Sequence, residues 1–367
     1  MTQLHQLVST LDAIAPTRLA ESWDNVGLLV GDPAQDLSGV MLTIDYTPEV
    51  ACEAAGAQAN AIVAYHPPLF DAVKRVTSSG STSLIFDAIR RGVAIYSPHT
   101  ALDAAPGGTN DMLADVLELR DRAPLKLAQV KATQYKLVTF VPHDALERVS
   151  RALFEAGAGR IGNYTSCSFR SPGTGTFFGE EGTNPTVGQS GKLETAEEMR
   201  LETVVPIDKI EAVIRALRQS HPYEAPAFDL NQLAAAPEGI GIGRVGALPE
   251  NVTADMLVNR IKRELGVERL LVAGDPQRLV RRAAVCAGAC GNLLDDAIAQ
   301  KVDLYLTGEM RHHDALKAAR AGVTVICTLH SNSERAVLKR LAEQLRQRLA
   351  GLPVHVSRND RDPFLIS

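Results

Sequence analysis

Short apolar runs alternate with helical segments at both ends of this chain, and that alternation limits the fold more than any other feature. In the first half, residues 40–44, 61–64 and 93–96 have the composition of buried strands, and helices are predicted at 48–56 and about 82–91. Buried strands separated by helices form parallel sheets that are covered on both faces. The first half is therefore predicted to be an α/β unit.

The same order returns near the C-terminus. Residues 283–286, 303–306 and 323–327 have strand-like composition, and helices are predicted at about 311–321 and 334–349. In open α/β sheets, binding sites form beyond the carboxyl ends of the strands. We therefore predict two α/β halves that present polar residues from the same edge of their sheets.

A different order separates the two halves. Strands and helices there are predicted in the order β-α-β-β-α-β, at residues 135–140, 144–156, 173–178, 199–205, 208–219 and 225–230. That order is typical of the ferredoxin-like fold. Segments rich in small residues, Pro and Gly at 124–132 and 234–239 flank it and are typical of linkers. We therefore predict a core of two α/β halves, residues 1–133 and 234–367, with an inserted ferredoxin-like domain at 134–233.

Composition excludes several classes of protein. The chain has 38 basic and 43 acidic residues and a net charge of −5, with no basic stripe that would follow a phosphate backbone, so nucleic acid is not expected as a partner. No apolar stretch approaches the roughly 20 residues that a membrane span needs, and the N-terminus lacks the pattern of a signal peptide. The five cysteines are widely spaced and form no zinc-type pair. We expect a soluble, cytoplasmic protein with reduced thiols.

Most candidate metal ligands lie in four short segments, each at the end of a predicted strand. Five of the nine histidines fall in them, together with two glutamates and one aspartate: His66, His99, Asp103, Glu309, His312, His313, His330 and Glu334. Imidazole and carboxylate groups are ligands of divalent metals. The segments therefore predict a metal site at the strand ends.

The spacing of His330 and Glu334 is the most informative within this set. Residues four apart on a helix lie on one face, so both side chains can reach one ion. Ser331 or Ser333 is expected to cap that helix, which places the pair in its first turn. The alternative is an exposed polar helix start with no ligand.

The other candidate ligands each have a structural alternative. Asp103 is predicted to lie in a turn that Pro106, Gly107 and Gly108 hold tight, where its carboxylate could bridge two metals. The alternative is an Asx turn or a cap for the next helix. His66 precedes two prolines that restrict the backbone, which suits a preorganised ligand. A histidine after a strand also serves as an ordinary hydrogen-bonding residue.

Four residues are assigned to the cleft with less specific roles. Glu309 follows a Thr-Gly pair and is expected to act as a general base or to support a ligand. His312 and His313 start a helix, where they would cap it, hydrogen-bond a ligand or line the cleft together with His99. The sequence motifs of other kinds of active site are missing. The chain has no GxxxxGK[ST], no GxGxxG after a strand and no GxSxG.

These segments together resemble the Nif-three-like family, whose members are often called GTP cyclohydrolase 1 type 2 homologues. The resemblance covers nearly the whole chain, and the middle segment looks like the PII/CutA-like insert of longer members. The motifs that carry it are Glu21-Ser22-Trp23-Asp24-Asn25-Val26-Gly27, Tyr65-His66-Pro67-Pro68, Ser97-Pro98-His99-Thr100, Leu102-Asp103-Ala104-Ala105-Pro106-Gly107-Gly108, Thr307-Gly308-Glu309 with His312-His313, and His330-Ser331-Asn332-Ser333-Glu334-Arg335.

The resemblance implies a di-metal centre that binds one or two divalent ions per chain, zinc, iron or another transition metal, within a homohexamer built from dimers. By motif, the implied ligands are His66, Asp103, His330 and Glu334. Many bacterial members have a second histidine where this chain has Tyr65. Because neutral tyrosine is a poor ligand compared with histidine, the second ion is expected to bind less completely.

Two functions remain open from the sequence. The first is a metal-dependent hydrolase that acts on a nucleotide-like small molecule such as GTP, with a metal-activated water as nucleophile and with Glu309 or His313 moving protons. The second is a non-enzymatic metal-handling or regulatory protein in which the inserted domain, with its own small-molecule effector, is a sensor or gate. A turnover screen of metal-loaded protein would separate them.

Overall fold

The structure is a computed structural model, and it describes residues 2–127, 134–234 and 239–364. These residues form two compact units, the first from residues 2–127 and 239–364 and the second from residues 134–234. The strands are β1 Gly27–Val30, β2 Val40–Thr43, β3 Ala61–Ala64, β4 Ala94–Ser97, β5 Arg120–Leu127, β6 Gln134–Pro142, β7 Ser168–Phe178, β8 Leu193–Pro206, β9 Phe228–Gln232, β10 Gly241–Thr253, β11 Leu271–Ala273, β12 Leu279–Cys286, β13 Leu304–Thr307, β14 Thr324–Cys327 and β15 Val354–Val356.

The helices of the same residues lie mostly between these strands, so the predicted mixed α/β class is confirmed. They are α1 Leu4–Ile14, α2 Pro48–Gly56, α3 Ser83–Arg90, α4 His99–Ala104, α5 Thr109–Val116, α6 Leu146–Glu155, α7 Ile210–Ser220, α8 Ala254–Leu265, α9 Leu294–Ala299, α10 His312–Arg320, α11 His330–Glu334 and α12 Val337–Arg348. Among the described residues, none of these helices has the length and apolar composition that crossing a bilayer requires.

The first sheet of the first unit has the strand order β1-β4-β3-β2-β15. Strands β2, β3 and β4 are parallel neighbours, and every residue in them is buried. Helices α1 and α12 pack on one face of the sheet, while α2 and α3 pack on the other. Because both faces are covered, these strands are continuous apolar runs in the sequence, as a parallel sheet requires.

The second sheet of this unit has the order β11-β14-β13-β12-β10-β5. Its centre is again a parallel set, β12, β13 and β14, between antiparallel outer strands. Helices α5 and α8 cover one face, and α9 and α10 cover the other. The first sheet therefore has four parallel strands, because β15 is also parallel to β2, and the second has three; their carboxyl ends can carry a site.

The second unit contains one antiparallel sheet of order β7-β8-β6-β9. Its elements follow the chain as β6-α6-β7-β8-α7-β9. Helices α6 and α7 pack their buried residues, such as Val149 and Leu217, against Leu137, Val141 and Leu201 of the sheet. The unit thus has a hydrophobic core of its own.

Several local predictions differ from the structure. Strand β5 extends to Leu127, so the first predicted linker begins as a strand; residues 128–133 and 235–238 lie outside the described part of the chain. The helix predicted at 334–349 is two helices, α11 and α12. Strands β1, β5, β11 and β15 were not predicted, because they are edge strands without continuous apolar runs. Strand β10 lies inside its sheet, but glycines and Arg244 interrupt its apolar run.

Removing the predicted insert should leave a folded first unit. Leu127 at the end of β5 pairs with Gly241 at the start of β10, so the two chain segments that border the second unit lie side by side in one sheet. A short Gly/Ser linker in place of residues 134–233 should therefore close without strain and give a soluble, monodisperse protein. Size-exclusion chromatography and circular dichroism check this, and an aggregated product would contradict it.

Candidate metal centre

The carboxyl ends of the central strands bring together residues from both sheets. Asp45 lies just past β2, and His66 lies just past β3. From the second sheet, Glu309 follows β13 and His330 follows β14. The rings of His66 and His330 lie 5.3 Å apart. The two sheets therefore present one shared cluster, as strand-end reasoning predicted.

His66, His330 and Glu334 form the tightest group, with one ligand atom from each lying within 4.8 Å of the others. Glu334 Oε2 lies 3.2 Å from His66 Nε2, and Glu334 Oε1 lies 3.4 Å from His330 Nε2. The carboxylate is thus placed between two imidazoles, and Glu334 is only 2% exposed. Two imidazoles and one carboxylate are a donor set that zinc and iron bind readily.

Both histidines of the cluster are held through the opposite ring nitrogen. His66 Nδ1 lies 2.9 Å from Asp45 Oδ1, and His330 Nδ1 lies 2.9 Å from Glu309 Oε1. A carboxylate on Nδ1 favours the tautomer with hydrogen on that atom and leaves the Nε2 lone pair free. The two Nε2 atoms are therefore oriented as metal ligands usually are.

His99 repeats this arrangement beside the cluster. Its Nδ1 lies 2.8 Å from Asp24 Oδ1, and its ring lies 5.3 Å from the ring of His66. Burial raises the pKa of Asp24, but hydrogen bonds with His99 and Thr100 outweigh it and lower that pKa overall. Asp24 is thereby kept as an anion, which suits a partner that orients His99.

Two buried atoms at the centre, His66 Nε2 and Glu334 Oε2, lie 3.2 Å apart and make no well-aligned hydrogen bond to each other or to another described residue. Without a proton or a metal ion between them, their lone pairs would repel at this distance, so the position calls for a bound cation. Burial lowers the pKa of His66, but the carboxylates of Asp45 and Glu334 outweigh burial and raise it to about 10. A site that holds a proton so strongly attracts cations, and a divalent ion would have to displace that proton.

Asp103 is held by Tyr65 and lies outside the group of three. Tyr65 is fully buried, its hydroxyl donates to Asp103 Oδ1, and it lies 3.1 Å from Thr109 Oγ1. Burial and the negative charge of Glu334 raise the pKa of Asp103 to about 6. Burial and the charge of Asp103 raise the pKa of Tyr65 well above its ordinary value, so Tyr65 is neutral and acts as the donor.

The backbone around Asp103 differs from the predicted turn. Asp103 lies in the short helix α4, and the tight turn begins after it. The predicted alternative, a side-chain cap for the next helix, is wrong, because Gly108 precedes α5 and no side chain caps it. Asn110 Nδ2 instead donates to the Asp103 carbonyl and fixes the end of α4.

The predicted serine cap of the last ligand pair is also wrong. Helix α11 begins at His330 itself, after Leu329 with φ 70°. Ser333 Oγ instead accepts from Gly288 N at 2.8 Å and donates to the His330 carbonyl. His330 and Glu334 still share one helical face, because their spacing is unchanged.

Gly288 provides the space that the cluster occupies. It has φ +70°, and a Cβ built on it would lie 2.9 Å from Glu334 Oε1 and 3.5 Å from His330 Nε2. Any larger residue would press into the position between the ligand atoms. The loop after β12 therefore contributes close backbone approach to the site.

His312 and His313 are not part of the cluster. Both are exposed at the start of α10, where their rings pack against each other at 5.3 Å. Glu309 is half exposed and pairs with His330, which agrees with a supporting role. The structure thus brings Glu309 to the site and leaves the two adjacent histidines at the surface.

Sequence reasoning included Glu309 but missed Asp45 and Asp24, the other two residues that orient histidines. Asp45 carried a usable signal, because it follows a buried strand next to the one that ends before His66. Asp24 lies 75 positions from its partner His99 and has no local pattern that announces the contact. Thr109 also had no signal, because its role depends on the burial of Tyr65.

The whole chain is similar to known proteins of one family. The sequence profile of the family Duf34/NIF3 (NGG1p interacting factor 3) matches residues 2–363. A Mycobacterium tuberculosis protein named GTP cyclohydrolase 1 type 2 homolog is 38% identical over 367 residues, which cover 99% of this chain and 96% of that protein. A Bacillus subtilis protein of the same name is 34% identical over 363 residues, covering 98% and 97%.

Solved structures give the same result. The crystal structure of a Bacillus cereus protein related to NIF3 has a TM-score of 0.76 and 33% identity, covering 100% of this chain and 99% of the other. That of a Staphylococcus aureus protein has a TM-score of 0.83 and 28% identity, with the same coverage. The resemblance found in the sequence motifs is therefore confirmed: this chain belongs to the Duf34/NIF3 (NGG1p interacting factor 3) family.

Proposed function

We propose that this protein binds a divalent metal ion between His66, His330 and Glu334 and uses it to hydrolyse a nucleotide-like small molecule. The observation that carries the metal assignment is the pair of buried ligand atoms, His66 Nε2 and Glu334 Oε2, which face each other at 3.2 Å without a well-aligned hydrogen bond. The name shared by the relatives supports a nucleotide-like substrate.

A divalent ion at this position would lower the pKa of a bound water toward about 7 and so supply hydroxide at neutral pH. The residues of the chain have separate tasks. Asp45 and Glu309 hold the rings of His66 and His330, while Asp24 holds His99 at the side of the cluster. Glu309 is half exposed and close enough to exchange a proton with His330 Nδ1. A proton-transfer role for His313 stays a prediction.

Tryptophan fluorescence should report metal binding. Trp23 is the one tryptophan of the chain, and its ring lies 6.1 Å from that of His99. Titration of metal-free protein with Co²⁺ or Ni²⁺ should quench its emission, because an open-shell ion close to an indole deactivates the excited state. Quenching should saturate at the ion-to-chain ratio found by elemental analysis, and closed-shell Zn²⁺ should reverse it. A titration without saturation would contradict a specific site.

Tyr65 should limit the number of bound ions. Its hydroxyl donates to Asp103, so in this conformation Tyr65 offers no free ligand atom. Tyr65→His should raise the stoichiometry or affinity for a second ion, measured by calorimetry, because an imidazole nitrogen is a far better ligand. Tyr65→Phe is the matched control and should bring no gain. Equal binding of two ions by wild type and Tyr65→His would contradict this expectation.

A turnover screen decides between hydrolysis and metal handling. Protein loaded with Zn²⁺, Fe²⁺ or Mn²⁺ would be incubated with purine nucleotides, and products followed by chromatography. Product formation that disappears in His330→Ala supports the hydrolase. Stoichiometric metal binding without product for any nucleotide would favour the alternative, a metal-handling protein regulated through the second unit.

We further propose that residues 134–233 are an inserted domain of the ferredoxin-like fold. The sheet order β7-β8-β6-β9 and two helices on one face support this assignment. Assembly into a hexamer of dimers, a cytoplasmic location and the absence of nucleic-acid binding stay predictions, and light scattering of purified protein tests the first.

A further inference from the structure

The second unit contains a cavity of about 550 Å³ on one face of its sheet. Leu137, Val141 and Leu201 point toward the helices, and side chains alternate along strands, so Phe140 and Arg200 point to the opposite face. The cavity is lined by that opposite face and lies entirely within residues 140–227. Its volume falls in the range of about 300–1,000 Å³ that is usual for small-molecule sites.

A loop forms the outer wall of the cavity. Residues 183–187 line it, and two hydrogen bonds tie them to the segment before β9. Asn184 N donates to Glu224 Oε1 at 3.4 Å, and Thr186 Oγ1 donates to the Pro222 carbonyl at 2.9 Å. The apolar walls include Phe140, Phe177 and Pro185. The loop and the sheet therefore border a space whose walls are largely apolar.

The floor of the cavity carries an acid. Gly173 and Gly175 of β7 line it without side chains, and a Cβ on Gly175 would lie 2.3 Å from Glu198 Oε2. The Glu198 carboxylate therefore lies directly across the Gly175 backbone. The hydroxyl of Tyr223 is buried beside the Glu198 carboxylate, and it makes no well-aligned hydrogen bond to any described residue.

The charges around the cavity favour a cation. Among the described residues that line it, Glu198 and Glu224 are the acids and Arg200 is the one base. Arg200 is already engaged, because its Nε donates to Glu202 Oε1 at 2.7 Å and its guanidinium lies 5.9 Å from the centre of the Phe140 ring. Glu198 therefore offers hydrogen-bond acceptors that no base in the cavity neutralises.

We propose that this cavity binds a small molecule with a planar aromatic body and a protonated amino group. The ring would lie between Phe140, Phe177 and Pro185, where aromatic and apolar surface is buried. The ammonium would donate to Glu198 in a charge-assisted hydrogen bond, and Tyr223 would supply the remaining polar contact. This site is independent of the metal centre, because all its residues belong to the second unit.

The test uses the full chain and pairs of probes that differ in charge. Phenethylamine and tryptamine are titrated against 3-phenylpropionate and indole-3-acetate by calorimetry and ligand-observed NMR. We expect the amines to bind and the acids to bind at least ten times more weakly. Glu198→Gln should weaken amine binding at least ten-fold, while Tyr223→Phe should weaken it less.

Glu197→Gln is the matched control. Glu197 is adjacent in the chain, alternates to the other face of the sheet and pairs with Thr174 Oγ1, so this change removes the same charge outside the cavity. It should bind amines like wild type. Three results would overturn the proposal. They are equal affinity for the acids and the amines, unchanged amine affinity in Glu198→Gln, and no binding of any probe at millimolar concentration. A change of oligomeric state in Glu198→Gln would also overturn it, because that result would show that a second copy of this chain covers this face of the sheet.

Discussion

A protein that carries both His330→Ala and Glu334→Ala should retain its fold and bind no divalent metal. The two changes remove one imidazole and the carboxylate that lies between His66 and His330. Loss of a residue that only orients a ligand typically costs about 10–100-fold in metal affinity. Loss of two ligands should cost more and leave the metal content of purified protein near background.

Elemental analysis of protein purified without added metal measures this effect, and circular dichroism shows whether the fold remains. His5→Ala with Glu343→Ala is the matched control, since it removes the same two residue types from exposed positions outside the cluster. The control should keep wild-type metal content. A folded double variant of His330 and Glu334 with unchanged metal would refute the assigned site.

Glu309→Gln should give an intermediate result that separates orientation from ligation. The amide keeps the shape of the side chain and removes the anion that fixes His330 Nδ1. Metal should then bind about 10–100-fold more weakly without disappearing. Unchanged affinity would mean that the pair of His330 with Glu309 has no part in the site.

Arg244→Ala should destabilise the protein by about 3–5 kcal/mol, the cost of breaking a buried ion pair on one side. Arg244 is 3% exposed, its Nε donates to Asp111 Oδ1 at 2.8 Å, and its Nη2 donates to Asp111 Oδ2 at 3.0 Å. Its Nη1 also donates to the carbonyls of Gly241 and Gly243 at 2.8 Å each. Removing the guanidinium leaves the Asp111 carboxylate and three carbonyls, those of Gly241, Gly243 and Ala105, without this donor.

The contact also supports the candidate site from a distance. Arg244 Nη2 donates to the Ala105 carbonyl at 3.3 Å, and Asp111 accepts from Gly107 N at 2.7 Å. Both contacts hold the turn that follows α4, the helix that carries His99 and Asp103. We therefore expect Arg244→Ala to lower stability first and metal affinity second.

Urea unfolding of the metal-free protein, followed by circular dichroism, measures the stability change. Arg263→Ala is the control, because that side chain is 71% exposed and its ion pair in the described part of the chain is with its neighbour Glu264, so its effect should stay within about 0.5 kcal/mol. Equal unfolding midpoints for Arg244→Ala and Arg263→Ala would show that the buried pair contributes nothing to stability.

The sequence alone determined the central strands and the ends that carry the chemistry. Strands such as β2, β3 and β14 are buried on both faces, so they appear as short apolar runs that any reader of the sequence can recognise. Polar residues directly after such runs must lie at one edge of the sheet. Helical spacing is equally local, so His330 and Glu334, which are four residues apart, were predicted to share one face of a helix.

The tertiary structure decided which of these residues meet and in what state. Asp24, Asp45 and Glu309 each reach their histidine over 75, 21 and 21 positions of sequence, and nothing local encodes those pairings. Local periodicity depends on neighbours in the chain, so it can be read directly. Contacts between segments depend on how sheets and helices pack, and burial then sets the charge of each group. That is why the sequence pointed to a metal-ligand set, while only the packing showed that Tyr65 holds Asp103 and that the buried ligand atoms of His66 and Glu334 face each other.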